Sequence, residues 1–277
     1  MYLKNKYFDR NSGISLKLII FFVVIFSMPS IPLDVFAEEF FITQTNESDN
    51  IIFDGKWSFE REWKQSSLKE IQVNQKETVY LRISHQDEFV YVFLDVLPDR
   101  KTERISDKAV VCFDTNNNKS KIADNYDYCF FAMMDKPTGL MIQGGSNIPT
   151  NNYFKNIKNH PDMIAIGGTS DENDRYSKIP HASYEFKIPI ELIGRSDNYG
   201  FYAAAFDFNS NTVYSWPNID SKNLNYIPSP SKWGDLISPD KSLPEIPLPI
   251  MILVILMIGV ILATRKISFS SRFIQKI

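Results

Sequence analysis

Apolar and polar residues alternate with period two through most of the middle of the chain. In residues 78–84 (TVYLRIS) and 88–96 (EFVYVFLDV) the alternation is clearest, and it predicts two strands joined at a polar tip of His85, Gln86 and Asp87. Phe89, Tyr91 and Phe93 fall on one face of the second strand, and Val90, Val92 and Leu94 on the other. Apolar residues on both faces mark a strand covered on both sides, as in the centre of a sandwich. Further strands are predicted in KAVVCFD, YDYCFFAMM, TGLMIQG, DMIAIG, ASYEFKI, YGFYAAAFDF and TVYSW, separated by loops rich in Asn, Asp, Gly and Pro. The pattern gives about ten strands and no βαβ alternation, hence an all-β antiparallel sandwich. Two short helical turns are expected, one in IPIELIG between Pro189 and Gly194, the other in SFEREW capped by Ser58.

The two ends follow other patterns. Lys4, Lys6, Arg10 and Lys17 precede the apolar run LIIFFVVIF, and Val35 and Ala37 stand at the −3 and −1 positions of a small-residue exit. This order predicts a signal peptide over residues 1–37, cleaved before Glu38. Near the other end, residues 246–264 carry no charge and would span about 28 Å as a helix, close to the hydrocarbon thickness of a bilayer. Arg265 and Lys266 follow at once, so the tail is expected to stay cytoplasmic. The expected organisation is an outward domain at 38–241, a membrane anchor at 242–266 and a tail at 267–277. The chain is then a single-pass cell-membrane protein with its bulk outside the cell.

Composition narrows the picture. A formal charge of −3 gives no basic footprint for nucleic acid. Aromatic residues make up 14% of the chain, more than a disordered spacer carries, which argues for a packed domain. The two cysteines, Cys112 and Cys129, fall on neighbouring predicted strands in an oxidising compartment, which favours a disulfide over two buried thiols. Asn46 and Asn118 head N-x-S triplets and are candidate glycosylation positions. No G-x-S-x-G, H-E-x-x-H or P-loop motif occurs, and no carboxylate pair is singled out for glycoside hydrolysis.

Between the cysteine strands the loop DTNNNKSKIADNYD places Asp114, Asn116 and Asn118 at D-x-N-x-N spacing, with Asp124 and Asp127 behind them. Calcium accepts such oxygens. The sixth position is Lys119 and the twelfth Asn125, so the loop is not an EF-hand. A calcium loop and a solvated turn built from Asn and Asp both remain open.

Five segments, in order, resemble the family 9 carbohydrate-binding modules and their DOMON-type relatives. IIFDGKWSFEREW, with Asp54, Gly55 and Trp63, resembles the family's opening. EFVYVFLDVLPD, SDKAVVCFDTNNN with Asp107 and Asp114, ASYEFKIPIELIG, and the closing stretch with Trp216, Trp233 and Gly234 resemble the pieces that follow. The resemblance implies a non-catalytic module that binds carbohydrate outside the cell, in some cases as part of a glycoside hydrolase system, with structural calcium. Loop and signature together give a metal set of Asp107, Asp114, Asn116, Asn118 and Asp124. The family holds its sugar between two aromatic rings; here DRKTERISD has no aromatic where the first belongs, and Tyr226 stands near the place of the second. Trp216 and Tyr226 are the platform candidates, since rings stack on sugar C–H faces. Trp57, Trp63 and Trp233 are expected to pack in the core. DOMON-type relatives bind haem through His with Met or Lys, but no spacing of His85, His160 or His181 with Met133, Met134, Met141 or Met163 requires it. The alternatives are an envelope interaction protein that kept the fold and lost the sugar site, and a haem-binding electron-transfer domain of the DOMON type.

Overall fold

The computed structural model describes residues 37–239 and residue 257, apart from 47, 74–76, 105, 135 and 220–225. The expected signal peptide, membrane anchor and tail lie outside the described residues, except for Ala37 and Met257. Among the described residues no helix is long and apolar enough to cross a membrane.

The chain forms two sheets. Numbered in chain order, the larger sheet runs β1 (Glu39–Phe41), β13 (Gly234–Ile237), β11 (Asn198–Asp207), β5 (Lys108–Asp114), β6 (Asp127–Met133), β7 (Lys136–Gln143) and β8 (Lys155–Ile157), with β12 (Thr212–Trp216) also paired to β11. The smaller sheet runs β2 (Ser67–Gln72), β3 (Thr78–Gln86), β4 (Phe89–Val96), β10 (Ala182–Pro189) and β9 (Ile164–Thr169). β1 pairs with β13 in parallel; the other pairings are antiparallel. This is the expected all-β sandwich with more strands than the alternation alone gave.

Strand alternation builds three apolar layers. Val90, Val92 and Leu94 of β4 and Phe186 and Ile188 of β10 meet Val111, Phe113, Phe130 and Phe201 of the larger sheet in the central core. The opposite side chains of β4, Tyr91 and Phe93, pack outside the smaller sheet with Trp57 and Trp63, both fully buried. Outside the larger sheet, Val110, Cys112, Cys129, Tyr202 and Phe206 are covered by Ile227 and Trp233. Each large side chain taken out of water contributes about 1.5–3 kcal/mol, so both outer faces add to the central core.

The two short helical expectations part company. Residues Ile190–Ile193 form α1, entered from Pro189 and ended at Gly194 with φ 69°. SFEREW does not become a helix. It forms successive turns with i→i−3 bonds, Glu62 N–H to Phe59 O at 3.1 Å and Ser66 N–H to Trp63 O at 3.2 Å. Within these turns the Glu62 carboxylate accepts the N–H groups of Ile52 at 2.8 Å and Ser58 at 2.5 Å. The β3–β4 tip is also tighter than expected. β3 continues through His85 and Gln86, and only Asp87 (φ 49°) and Glu88 make the turn.

Candidate ligand and metal sites

Cys112 and Cys129 are directly opposite in the β5–β6 register and form a disulfide. The loop they frame is bonded to itself. Asp114 accepts the N–H of Lys119 at 2.8 Å, Asn118 Nδ2 donates to Asp124 Oδ2 at 2.8 Å, and Asp124 Oδ1 accepts the N–H of Tyr126 at 2.8 Å. Asn117 and Lys119 adopt left-handed φ values of 49° and 51°, as Asn/Asp turns often require. A cation is already present in the form of Lys119, whose Nζ lies 2.8 Å from Asp235 Oδ1 and 2.9 Å from the carbonyl of Trp233. Asp114, Asn116, Asn118 and Asp124 are thus brought into one loop, and the N–H groups of that loop hold Asp114 and Asp124. Asn46 and Asn118 are both exposed.

Asp107 is not with them. It precedes β5, whereas Asp114 ends it, a separation of about 23 Å along a strand. At its own end Asp107 meets Asp99 and Asp207, and one ligand oxygen from each lies within 4.8 Å of the others. The β5–β11 register explains the meeting, since Lys108 opposes Phe206 and so sets the next residues outward, Asp107 and Asp207, side by side. All three are buried. Asp107 accepts the N–H groups of Glu103 and of Phe208, and Asp207 accepts the N–H and hydroxyl of Ser210. Asp99 Oδ1 is buried without a hydrogen-bond partner, and so is the hydroxyl of Tyr184, whose charge neighbours are these same aspartates. Burial, then the negative charges of Asp207 and Asp107, push Asp99 up to about 7. The three carboxylates supply hard oxygens of the kind calcium takes at 2.3–2.6 Å, about half of the six to eight it requires.

The two platform candidates fall on opposite sides of the larger sheet. Trp216 is 2% exposed, wedged in the central core against Phe40 and Phe201, with Nε1 donating to Glu38 at 2.8 Å. It offers no ring face to a sugar. Tyr226 is 38% exposed and close enough to Tyr202 to help raise that hydroxyl's pKa, behind the burial that raises it most. Trp57, Trp63 and Trp233 are buried as expected. The histidines are engaged locally. His181 Nε2 contacts Asp95 at 2.5 Å, His85 Nε2 lies 3.0 Å from Ser238 Oγ, and His160 sits near Asp162 and Glu191. Met134, Met141 and Met163 belong to the central core.

A polar cleft of about 600 Å³ opens at the β3–β4 tip, between that tip and the segment after α1. Gln44, Asp87, Glu88, Arg195, Ser196 and Asp197 line it together with His85. Arg195 is ion-paired to Glu88 across it. Sequence reasoning missed the cleft because its residues come from three separated segments, none with a distinctive spacing.

No family model matches the sequence, and no curated protein matches it. Among solved structures, the chain is similar to a family 9 carbohydrate-binding module from Caldicellulosiruptor kristjanssonii in complex with glucose. The TM-score is 0.48 and the identity 12%, over 76% of this chain and 100% of that one. A family 9 module from the same organism in complex with cellotriose is similar at a TM-score of 0.47 and 11% identity, with the same coverage.

Proposed function

We propose that this protein is a non-catalytic carbohydrate-binding module held on the outside of the cell by its C-terminal apolar segment, with a calcium ion bracing the Asp99–Asp107–Asp207 end. The observation that carries the reading is the polar cleft. Sugar hydroxyls both donate and accept. The cleft sets donors on Gln44 and Arg195 beside acceptors on Asp87, Glu88 and Asp197. Planar carboxylate and guanidinium groups reach two neighbouring hydroxyls at once. A concave site with convergent polar groups is where a small ligand is expected. The opening, strand and closing motifs of the sequence point to the same class.

The test is a glycan array probed with the purified full-length protein and with Arg195→Ala, Asp197→Ala and Tyr226→Ala. Binding should fall at least about tenfold in the two cleft variants, since each loses hydrogen bonds to a charged group worth about 1.5–3 kcal/mol. It should be unchanged in Tyr226→Ala. Loss only in Tyr226→Ala would move the site to the outer face of the larger sheet. An array without any positive glycan would overturn the reading in favour of an envelope interaction protein.

Calcium is tested separately by melting. Calcium should raise the melting temperature by a few degrees and a chelator should reverse the rise, because an ion that binds only the folded state stabilises it by mass action. Asp99→Asn should abolish the response. An unchanged response in that variant would place the ion elsewhere.

A further inference from the structure

Outside the smaller sheet lies a second buried cluster with different chemistry. Asp95 is on the outer face of β4, His181 directly precedes β10, and Asp174 sits in the connection from β9 to β10. Asp95 and Asp174 are 0% exposed and His181 1%. One ligand atom from each lies within 4.8 Å of the other two.

Each of the outer two residues uses one atom to fix its own position and leaves another facing the cluster. His181 Nδ1 lies 2.7 Å from the carbonyl of Ile179 and 2.9 Å from Ser170 Oγ. A carbonyl only accepts, so Nδ1 carries the proton, and in the neutral ring Nε2 is the lone-pair nitrogen. Asp174 Oδ1 accepts the N–H groups of Tyr176 at 2.7 Å and Ser177 at 2.8 Å. Its Oδ2 is buried and has no hydrogen-bond partner, and neither has Oδ2 of Asp95. Lys178, the next ammonium along the connection, is bonded to the carbonyls of Glu172 and Asp174 and not to a carboxylate.

We infer that Asp95, Asp174 and His181 form a binding site for a divalent transition-metal ion of the zinc type. Without an ion the cluster needs two protons, one bridging His181 and Asp95 and one shared between the carboxyl groups of Asp95 and Asp174, which lie within hydrogen-bond reach of each other. A divalent ion engages Nε2 and both carboxylates together, and with a neutral imidazole the sum of charges is zero. Buried charge costs little only when it is balanced in this way. One imidazole nitrogen and two carboxylate oxygens at about 2.0–2.2 Å is a zinc ligand set, whereas calcium demands more oxygens and no nitrogen. The Nδ1 bond to a backbone carbonyl is the outer support that metal-binding histidines generally have. The site ties the connection after β9 to the outer face of the sheet and does not depend on the glycan reading.

The experiment uses the full-length protein, stripped with a chelator and then titrated with zinc chloride alone. Elemental analysis should find one tightly held zinc per chain, and the melting temperature should rise by at least about 4 °C at saturation. Asp174→Asn keeps the size and the Oδ1 acceptor, so it should fold with the melting temperature of the stripped wild type and bind zinc at least tenfold more weakly. His181→Gln should also weaken zinc binding at least tenfold, with a lower melting temperature because the buried contact with Asp95 is lost, and Asp99→Asn should leave zinc binding intact. Absence of stoichiometric zinc in the wild type, or equal binding by Asp174→Asn, would overturn the assignment.

Discussion

Gly55→Ala is expected to destabilise the domain by about 4 kcal/mol or more, at the upper end of what single substitutions do. Gly55 has φ +85°, a region that side chains with a Cβ rarely occupy, and an added Cβ would lie 2.5 Å from the backbone nitrogen of Gly168 and 2.6 Å from the carbonyl carbon of Gly167. Both obstacles are backbone atoms of β9, so neither can swing aside. The turn is also bonded to the sheet. Gly55 N–H donates to Glu185 Oε2 at 2.7 Å, and Ser183 Oγ donates to the carbonyl of Gly55 at 2.7 Å. Glu185 is fully buried, and its other oxygen accepts Trp63 Nε1 at 3.0 Å. Burial drives its pKa well up, so losing a donor there is costly. Lifting the turn would uncover Trp57 and Trp63 together. Denaturant unfolding checks this, with Lys56→Ala as control. The Lys56–Asp171 pair is partly exposed and should contribute less than about 1 kcal/mol. A Gly55→Ala midpoint within about 1 kcal/mol of wild type would mean that the turn does not dock as described.

The motif Asp54-Gly55 was visible in the sequence; what it docks on was not, because Gly167 and Gly168 lie more than a hundred residues away. The same divide runs through the fold. β3 and β4 were legible because their alternation is unbroken, whereas β2 was not, since SLKEIQ is an edge strand with Lys69 and Glu70 at its centre and a mostly exposed face. Trp216 carried a readable signal that a motif-based reading passed over. Period two in TVYSW puts both aromatics, Tyr214 and Trp216, on one face and the smaller Val213 and Ser215 on the other, and the aromatic face is the one in the central core. Asp99 and Asp207 were beyond reach, because the β5–β11 register sets Asp207 beside Asp107 and only the stacking of the two sheets brings in Asp99, which follows β4. The Asp114 loop shows the reverse. Its spacing suited calcium, but spacing does not reveal that local N–H groups bond the oxygens of Asp114 and Asp124.

The disulfide should account for the second large effect. Cys112→Ala with Cys129→Ala is expected to cost about 3 kcal/mol, the loop-closure entropy of a 17-residue separation, and to lower the melting temperature by about 6–12 °C. Alanine is the right replacement because both positions lie in the apolar layer under Ile227 and Trp233, where a serine hydroxyl would add its own burial cost. The bridge sits near the loop end of the hairpin, and the β5–β6 register beyond it already pairs Asp114 with Asp127. The folded hairpin therefore has the same pairing without the bond, and the loss should come mainly from a freer unfolded chain. Two measurements separate these states. Amide exchange of the native β5–β6 strands should change little in the double variant, while the denaturant midpoint should fall. A midpoint unchanged within about 1 kcal/mol would show that the reduced chain is already confined. A collapse of amide protection throughout the hairpin would show that the bond holds the native pairing itself.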